Sequence, residues 1–126
     1  MRAVDTNLLV RLLAQDDARQ LAAARVFVQS GAWVSHLVLI EAMWVLSSVY
    51  EREPAQIAGS VARLLEHESL VIQDADTVAA ALVHFRKRPT LGFSDCLIVE
   101  VARKAGHLPL GTFDRELAKV HGAMRA

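Results

Sequence analysis

Residues 32–50, AWVSHLVLIEAMWVLSSVY, combine a predicted strand and a predicted helix, the unit from which α/β folds are built. The stretch begins with a short apolar run of strand type, residues 32–35, and continues as an apolar helix from Leu37 to Tyr50. Glu41 and two serines interrupt the helix, so it falls short of the roughly 20 apolar residues that span a bilayer. The pattern predicts a short strand followed by a buried core helix with one carboxylate in its first turns.

The same alternation of short strands and longer helices continues in both directions. Predicted strands lie at residues 3–7, 32–35, 70–72 and 108–112. Predicted helices lie at residues 8–13, 18–30, 37–50, 54–68, 76–88 and 95–105, with a closing helix from Asp114. Such alternation indicates parallel strands joined by helical crossovers. We expect one domain of residues 1–126, an α/β/α sandwich of three layers with a mainly parallel central sheet.

The composition and net charge of the chain exclude several classes of protein. Of the 126 residues, 53% are hydrophobic and 22% charged, which excludes a disordered tail. The 14 basic and 14 acidic residues cancel, so no global field draws the protein to nucleic acid or membrane, and any polyanion must be held locally. The single cysteine, Cys96, permits no internal disulfide. Charged Asp5 comes too early for a secretory signal, so we expect a cytoplasmic protein without a membrane span.

Four carboxylates occupy positions where α/β proteins place their sites. Asp5 lies at the carboxyl end of the first strand, and Glu41 lies early in the helix after the second. Asp95 begins a helix, and Asp114 follows the last strand. The carboxyl ends of parallel strands share one edge, so the four side chains are expected to converge. Converging carboxylates repel one another unless a cation neutralises them. Oxygen ligands without a Cys/His cluster favour Mg²⁺ or Mn²⁺ over Zn²⁺.

Each carboxylate also has a structural interpretation. Asp95 and Asp114 suit helix caps, which accept backbone N–H bonds, and a cap can also be a ligand. Asp5 suits an Asx turn with Asn7. Glu41 stands in an apolar run and needs either a cation, a solvent-facing crevice or an ion pair with an arginine.

Basic, aromatic, cysteine and histidine residues outside the acidic set can also be assigned roles from the sequence. Arg11 and Arg115 are the basic residues nearest to the acidic positions and are candidates for RNA phosphate contacts. Trp33 and Trp44 lie in apolar runs and are expected in the core. Cys96 is expected to point into the core rather than to act as a nucleophile. The histidines show no spacing typical of a metal site.

The set Asp5-Thr6-Asn7, Glu41, Phe93-Ser94-Asp95 and Thr112-Phe113-Asp114 resembles the PIN-domain ribonucleases, specifically the VapC toxins of bacterial toxin–antitoxin pairs. The resemblance extends from Val4 to about Arg115. It implies a Mg²⁺-dependent endoribonuclease that cuts structured RNA, is neutralised by a cognate antitoxin and forms a homodimer.

The resemblance also implies roles for individual residues. Asp5, Glu41 and Asp95 match the family's acidic residues, and Asp114 matches a fourth position whose identity varies within the family. The polar neighbours are expected to orient ligands, water or phosphate; they are Thr6, Asn7, Ser94 and Thr112.

Other function classes compete with the nuclease. A phosphoacceptor module with a magnesium pocket needs paired acids after its first strand, whereas Asp5 is single. A haloacid-dehalogenase-like phosphatase needs a second Asp two residues further on, where Asn7 stands. No glycine-rich loop supports dinucleotide binding. A non-catalytic binding or regulatory subunit also stays open, and it predicts that loss of Asp5 or Asp95 leaves toxicity unchanged.

Overall fold

The first three strands form one parallel sheet in the order β1-β2-β3 in a computed structural model that describes residues 1–126. The strands are β1 (Arg2–Ala3), β2 (Ala32–Val34) and β3 (Leu70–Ile72). Arg2 pairs with Ala32, and Ala32 pairs with Leu70. The chain divides into two compact units, residues 1–75 and 76–126, and this sheet belongs to the first.

Four helices connect and flank these strands in the first unit. They are α1 (Thr6–Ala14), α2 (Ala18–Val28), α3 (His36–Ser48) and α4 (Pro54–Glu66). Side chains cap the first three at their N-termini: Asp5 for α1, Asp17 for α2 and Ser35 for α3. Pro54 occupies the first turn of α4, where its missing N–H costs no hydrogen bond.

Helix α3 is buried on one face and exposed on the other, although both faces are apolar. Its buried face carries Leu39, Ala42, Met43 and Leu46. On the opposite face, Leu37 is 82% exposed, Glu41 is exposed and Trp44 is 65% exposed. These three residues recur at i, i+4 and i+7, which places them on one stripe. The prediction of a buried core helix is therefore confirmed for one face of α3 and wrong for the other.

The second unit contains two helices and a parallel strand pair. The elements are α5 (Ala75–Lys87), which starts at the boundary residue Ala75, α6 (Phe93–Ala105), β4 (Leu110–Thr112), a 3₁₀ turn (Leu117–Lys119) and β5 (Ala123–Arg125). Strand β4 pairs with β5, with Leu110 opposite Ala123. Gly106, at φ 85°, ends α6 in the left-handed conformation.

The predicted α/β class with parallel strands is confirmed, but β4 pairs with β5 in a second sheet instead of joining the sheet of β1, β2 and β3. The strand predicted over residues 3–7 shares only Ala3 with β1, and residues 6–7 belong to α1 because the Asp5 cap starts the helix there. The predicted closing helix from Asp114 is only a 3₁₀ turn, and β5 was not predicted, since the last residues pair with β4 instead. No helix in the structure has the length and apolar content needed to cross a membrane.

Candidate active site

Asp5 lies immediately beyond β1 and caps α1. Its Oδ1 accepts a hydrogen bond from the backbone N–H of Leu8 at 2.9 Å. Asp5 therefore acts as a helix cap and does not form the predicted Asx turn with Asn7. The side chain is exposed, and its Oδ2 makes no hydrogen bond. One carboxylate oxygen therefore fixes the side chain, and the other is available to a ligand.

Glu41 lies on the exposed stripe of α3, so its charge is not buried among the apolar residues that surround it in the sequence. It is exposed and makes neither a hydrogen bond nor an ion pair. The predicted alternative of an ion pair with an arginine is therefore wrong. An exposed carboxylate between Leu37 and Trp44 keeps both oxygens available to a cation or to water.

Asp95 is the third residue of α6 and is half-buried. Burial raises the pKa of Asp95 above its ordinary value, and the negative charge of Asp114 raises it further. The backbone of Gly92 acts in the opposite direction by hydrogen bonding to the charged form. The helix begins at Phe93, two residues earlier than predicted, so Asp95 lies inside the first turn rather than at the cap.

Asp114 follows β4 and caps the turn after it. Its Oδ1 accepts hydrogen bonds from the backbone N–H groups of Glu116 at 2.9 Å and Leu117 at 3.2 Å. Its own N–H donates to Oγ1 of Thr112 at 3.0 Å. As at Asp5, Oδ2 makes no hydrogen bond, so the predicted cap role leaves one oxygen available.

The structure thus brings Asp95 and Asp114 within electrostatic range in the second unit, and it places Asp5 and Glu41 in the first. Neither unit by itself contains three or more Asp, Glu, His or Cys side chains grouped to hold a metal ion. The donor set still fits a hard cation, because a carboxylate pair whose repulsion raises a pKa is stabilised by positive charge.

The polar residues predicted to assist the acids have different surroundings. Thr6 and Asn7 lie in the first turn of α1, and Ser94 lies in the first turn of α6. Asn7 is exposed, whereas Thr6 and Ser94 are half-buried. Thr112 is the residue with a visible orienting role, since its hydroxyl oxygen holds the backbone of Asp114.

Arg11 is tied into a network that joins α1 to the end of α3. Its Nη1 donates to Asp16 Oδ1 at 3.2 Å and to the Tyr50 hydroxyl at 3.0 Å, while Nε donates to Gln20. The Tyr50 hydroxyl donates to Asp16 Oδ2 at 2.8 Å, and this bond is the main reason that the pKa of Asp16 is lowered. Of the three guanidinium nitrogens, only Nη2 of Arg11 makes no hydrogen bond.

A groove of about 360 Å³ lies between α1 and α2. Its lining is partly apolar and partly polar: Leu8, Ala23, Ala24 and Phe27, with Asn7, Arg11 and Gln20. The guanidinium of Arg2 stacks on the Phe27 ring, 3.8 Å from its centroid. The second predicted RNA-contact residue, Arg115, is exposed and makes no ion pair.

Two predictions about aromatic residues are wrong, and one about the cysteine is confirmed. Trp44 is 65% exposed and Trp33 is 37% exposed, so neither belongs to the core. Trp33 lies on the outer face of β2, whose other two residues are buried. Cys96 is fully buried. Burial is the main reason that its pKa is raised to about 11, which removes it as a nucleophile.

Sequence reasoning missed a buried charged cluster in the second unit. Glu100 is buried on α6 and contacts His84 and Arg103. The signal was present: Glu100 stands in the apolar run of residues 97–101, one helical turn before Arg103.

The chain belongs to the PIN domain family, whose model matches residues 2–123. PIN domains are generally nucleases, and nucleases with this domain typically use divalent metals. Comparisons with curated proteins and with solved structures found no match. The resemblance inferred from the acidic motifs is therefore confirmed at the level of the family and its nuclease-type fold.

Proposed function

We propose that this PIN-domain protein is a Mg²⁺-dependent endoribonuclease that hydrolyses phosphodiester bonds in structured RNA. We further propose that it is the toxin of a VapC-type toxin–antitoxin pair, acting in the cytoplasm. The observation that carries the catalytic part is the Asp95–Asp114 pair. Burial raises the pKa of Asp95, the negative charge of Asp114 raises it further, and a bound cation would offset both effects.

The metal ligands in this proposal are Asp5, Glu41, Asp95 and Asp114, with Mg²⁺ the natural ion and Mn²⁺ a substitute. All four offer oxygen atoms only, which suits hard cations. Asp5 and Asp114 each keep Oδ2 available while Oδ1 caps a turn. When bound, the cation lowers the pKa of water and stabilises charge on the phosphate.

The chain's own residues supply orientation and proton transfer. Asp5 or Asp95 positions the attacking water and accepts its proton, and the raised pKa of Asp95 suits that base better at neutral pH. Thr112 holds Asp114, and Thr6, Asn7 and Ser94 orient water or phosphate beside the acids. Arg115 and the Nη2 group of Arg11 contact RNA phosphates.

The proposed protein partner is a cognate antitoxin, and the proposed assembly is a homodimer. The α1–α2 groove is the proposed seat of an antitoxin segment. Two features support this assignment. The groove between the two helices has apolar residues in its lining, as grooves that bind helical peptides do, and one lining residue, Asn7, lies two positions from Asp5. An antitoxin bound there would lie beside Asp5 and so block access to its carboxylate.

The test is cleavage of total cellular RNA by the purified protein, with Mg²⁺ or with EDTA, followed by sequencing of the new ends. Asp95→Asn is the active-site variant. Asp76→Asn is the matched control, since Asp76 also lies in the first turn of a helix but pairs with Lys104 on the surface. The proposal requires discrete Mg²⁺-dependent cuts by the wild type and by Asp76→Asn, with none by Asp95→Asn.

The opposite result would be equally informative. If folded protein that binds Mn²⁺ makes no cuts in RNA, the proposal that the protein is a nuclease is refuted. Stoichiometric labelling by a small phosphodonor would then support the phosphoacceptor alternative, whereas unlabelled protein that still binds an antitoxin would support a regulatory subunit.

A further inference from the structure

Helix α6 carries a second charged residue whose contacts reach the strand pair of the same unit. Arg103 lies in the last turn of α6, whereas Asp95 lies in the first. The Nη2 group of Arg103 donates to the backbone oxygen of His121, and Nη1 lies 3.2 Å from Nδ1 of the same residue. Arg103 therefore joins the helix to the segment just before β5.

A glycine makes this close contact possible. Gly122 has φ +96°, a conformation that favours glycine. A Cβ atom at this position would stand 2.8 Å from Nη2 of Arg103, too close for any real contact. Arg103 and Gly122 are thus fitted to each other, both in backbone conformation and in space.

Buried Glu100 fixes the direction of the guanidinium. Its side chain is only 8% exposed, and its carboxylate accepts from Nε of Arg103 at 3.2 and 3.3 Å. Nε2 of His84 lies 2.7 Å from the same carboxylate. A buried carboxylate with partners on two sides holds a planar guanidinium in one orientation, which leaves its Nη atoms directed at residue 121.

Hydrogen bonds connect the segment that Arg103 contacts to Asp114, the acidic residue after β4. The backbone oxygen of Gly122 accepts from the N–H of Leu110 at 2.8 Å, where β4 begins. At the other end of β4, Oγ1 of Thr112 accepts from the N–H of Asp114 at 3.0 Å. The position of Asp114 relative to α6 therefore depends on how the β4–β5 pair is attached to that helix.

We propose that Arg103 is a positioning residue for the Asp95–Asp114 pair. The rise of 1.5 Å per residue puts Asp95 about 12 Å from Arg103 along α6. Arg103 fixes the strand pair against the far end of the helix, and this attachment sets the spacing of the two carboxylates at the near end. The inference rests on the proposed function, in which that pair binds the cation.

The experiment measures Mn²⁺ affinity by electron paramagnetic resonance, without any RNA. Arg103→Lys keeps a cation beside Glu100 but loses the planar fork that reaches His121. Gly122→Ala perturbs the same contact from the strand side. Lys104→Gln is the matched control, because it removes a charge from the same helical turn that pairs with Asp76 instead. We expect affinity to fall about tenfold in the first two variants and to stay unchanged in the control.

A double-mutant cycle separates positioning from general destabilisation. If Arg103 acts through Asp114, the losses caused by Arg103→Lys and Asp114→Asn are less than additive, whereas independent effects add. Circular dichroism and thermal melts identify the folded variants. Wild-type affinity in folded Arg103→Lys, or strict additivity, overturns the inference. If Asp95→Asn binds Mn²⁺ as tightly as the wild type, the proposed metal site itself fails, and with it the pair that Arg103 would position.

Discussion

Cys96 should resist alkylation in the native protein by a calculable factor. It is fully buried, and its pKa is raised from 9.0 to about 11. At pH 8 a thiol of ordinary pKa is about one-tenth ionised, whereas one with a pKa of about 11 is roughly one-thousandth ionised. Ionisation alone therefore slows the reaction about 100-fold, and burial of the sulfur slows it further because the reagent must wait for an opening of the structure.

The assay follows iodoacetamide labelling by mass spectrometry at pH 8 in metal-free buffer, with urea-unfolded protein as the reference. We expect native labelling at least about 100-fold slower than labelling of the unfolded chain. Cys96→Ala should keep full RNA cleavage, because no thiol takes part in the proposed hydrolysis. Native labelling within a fewfold of the unfolded rate would refute both the burial and the raised pKa.

Three further predictions concern the carboxylates and the core. Asp95→Asn should stabilise the fold at pH 7 while abolishing cleavage, because a raised native pKa means that the ionised form is disfavoured by folding. The gain should vanish in thermal melts at pH 3, below the ordinary value of 3.8, where the carboxyl is protonated in both folded and unfolded chains; an equal gain at both pH values would contradict this. Glu41→Gln should change the free energy of unfolding by less than about 0.5 kcal/mol, since the side chain has no partner, yet abolish Mg²⁺-dependent cleavage; wild-type cleavage would remove Glu41 from the site. Leu39→Ala should cost about 2–5 kcal/mol in urea unfolding, whereas Leu37→Ala, 82% exposed on the same helix, should cost far less; equal costs would disprove the one-sided burial of α3.

Much of the fold could be predicted because local signals and tertiary structure agree. Gly106 marks the end of α6, and Pro54 marks the start of α4, where the structure has them. The three-residue apolar run at residues 70–72 is β3. Backbone chemistry specifies the two helix boundaries, and the apolar side chains specify the strand, so no knowledge of the neighbours is needed.

The remaining errors arise where long-range packing decides. Strand β5 has no local strand signal; it exists because β4 offers it a parallel edge. The exposed stripe of α3 carries the large apolar residues Leu37 and Trp44, and periodicity cannot distinguish a packed apolar residue from an exposed one. For the site, the predicted approach of the acids is seen in the structure for Asp95 and Asp114. The capping bonds of Asp5 and Asp114 depend on backbone positions that only the structure shows.

In both Asp5 and Asp114, Oδ1 caps a turn while Oδ2 stays available to a ligand, and this arrangement has a genetic consequence. Asn caps helices about as well as Asp, so the change to Asn keeps the structural hydrogen bonds and removes the negative charge. Each such change needs a single nucleotide substitution. Under the proposed function, the toxin can therefore lose its activity in one mutational step and remain a folded protein that still occupies its antitoxin, and inactive alleles of this kind are expected among survivors of selection against toxicity.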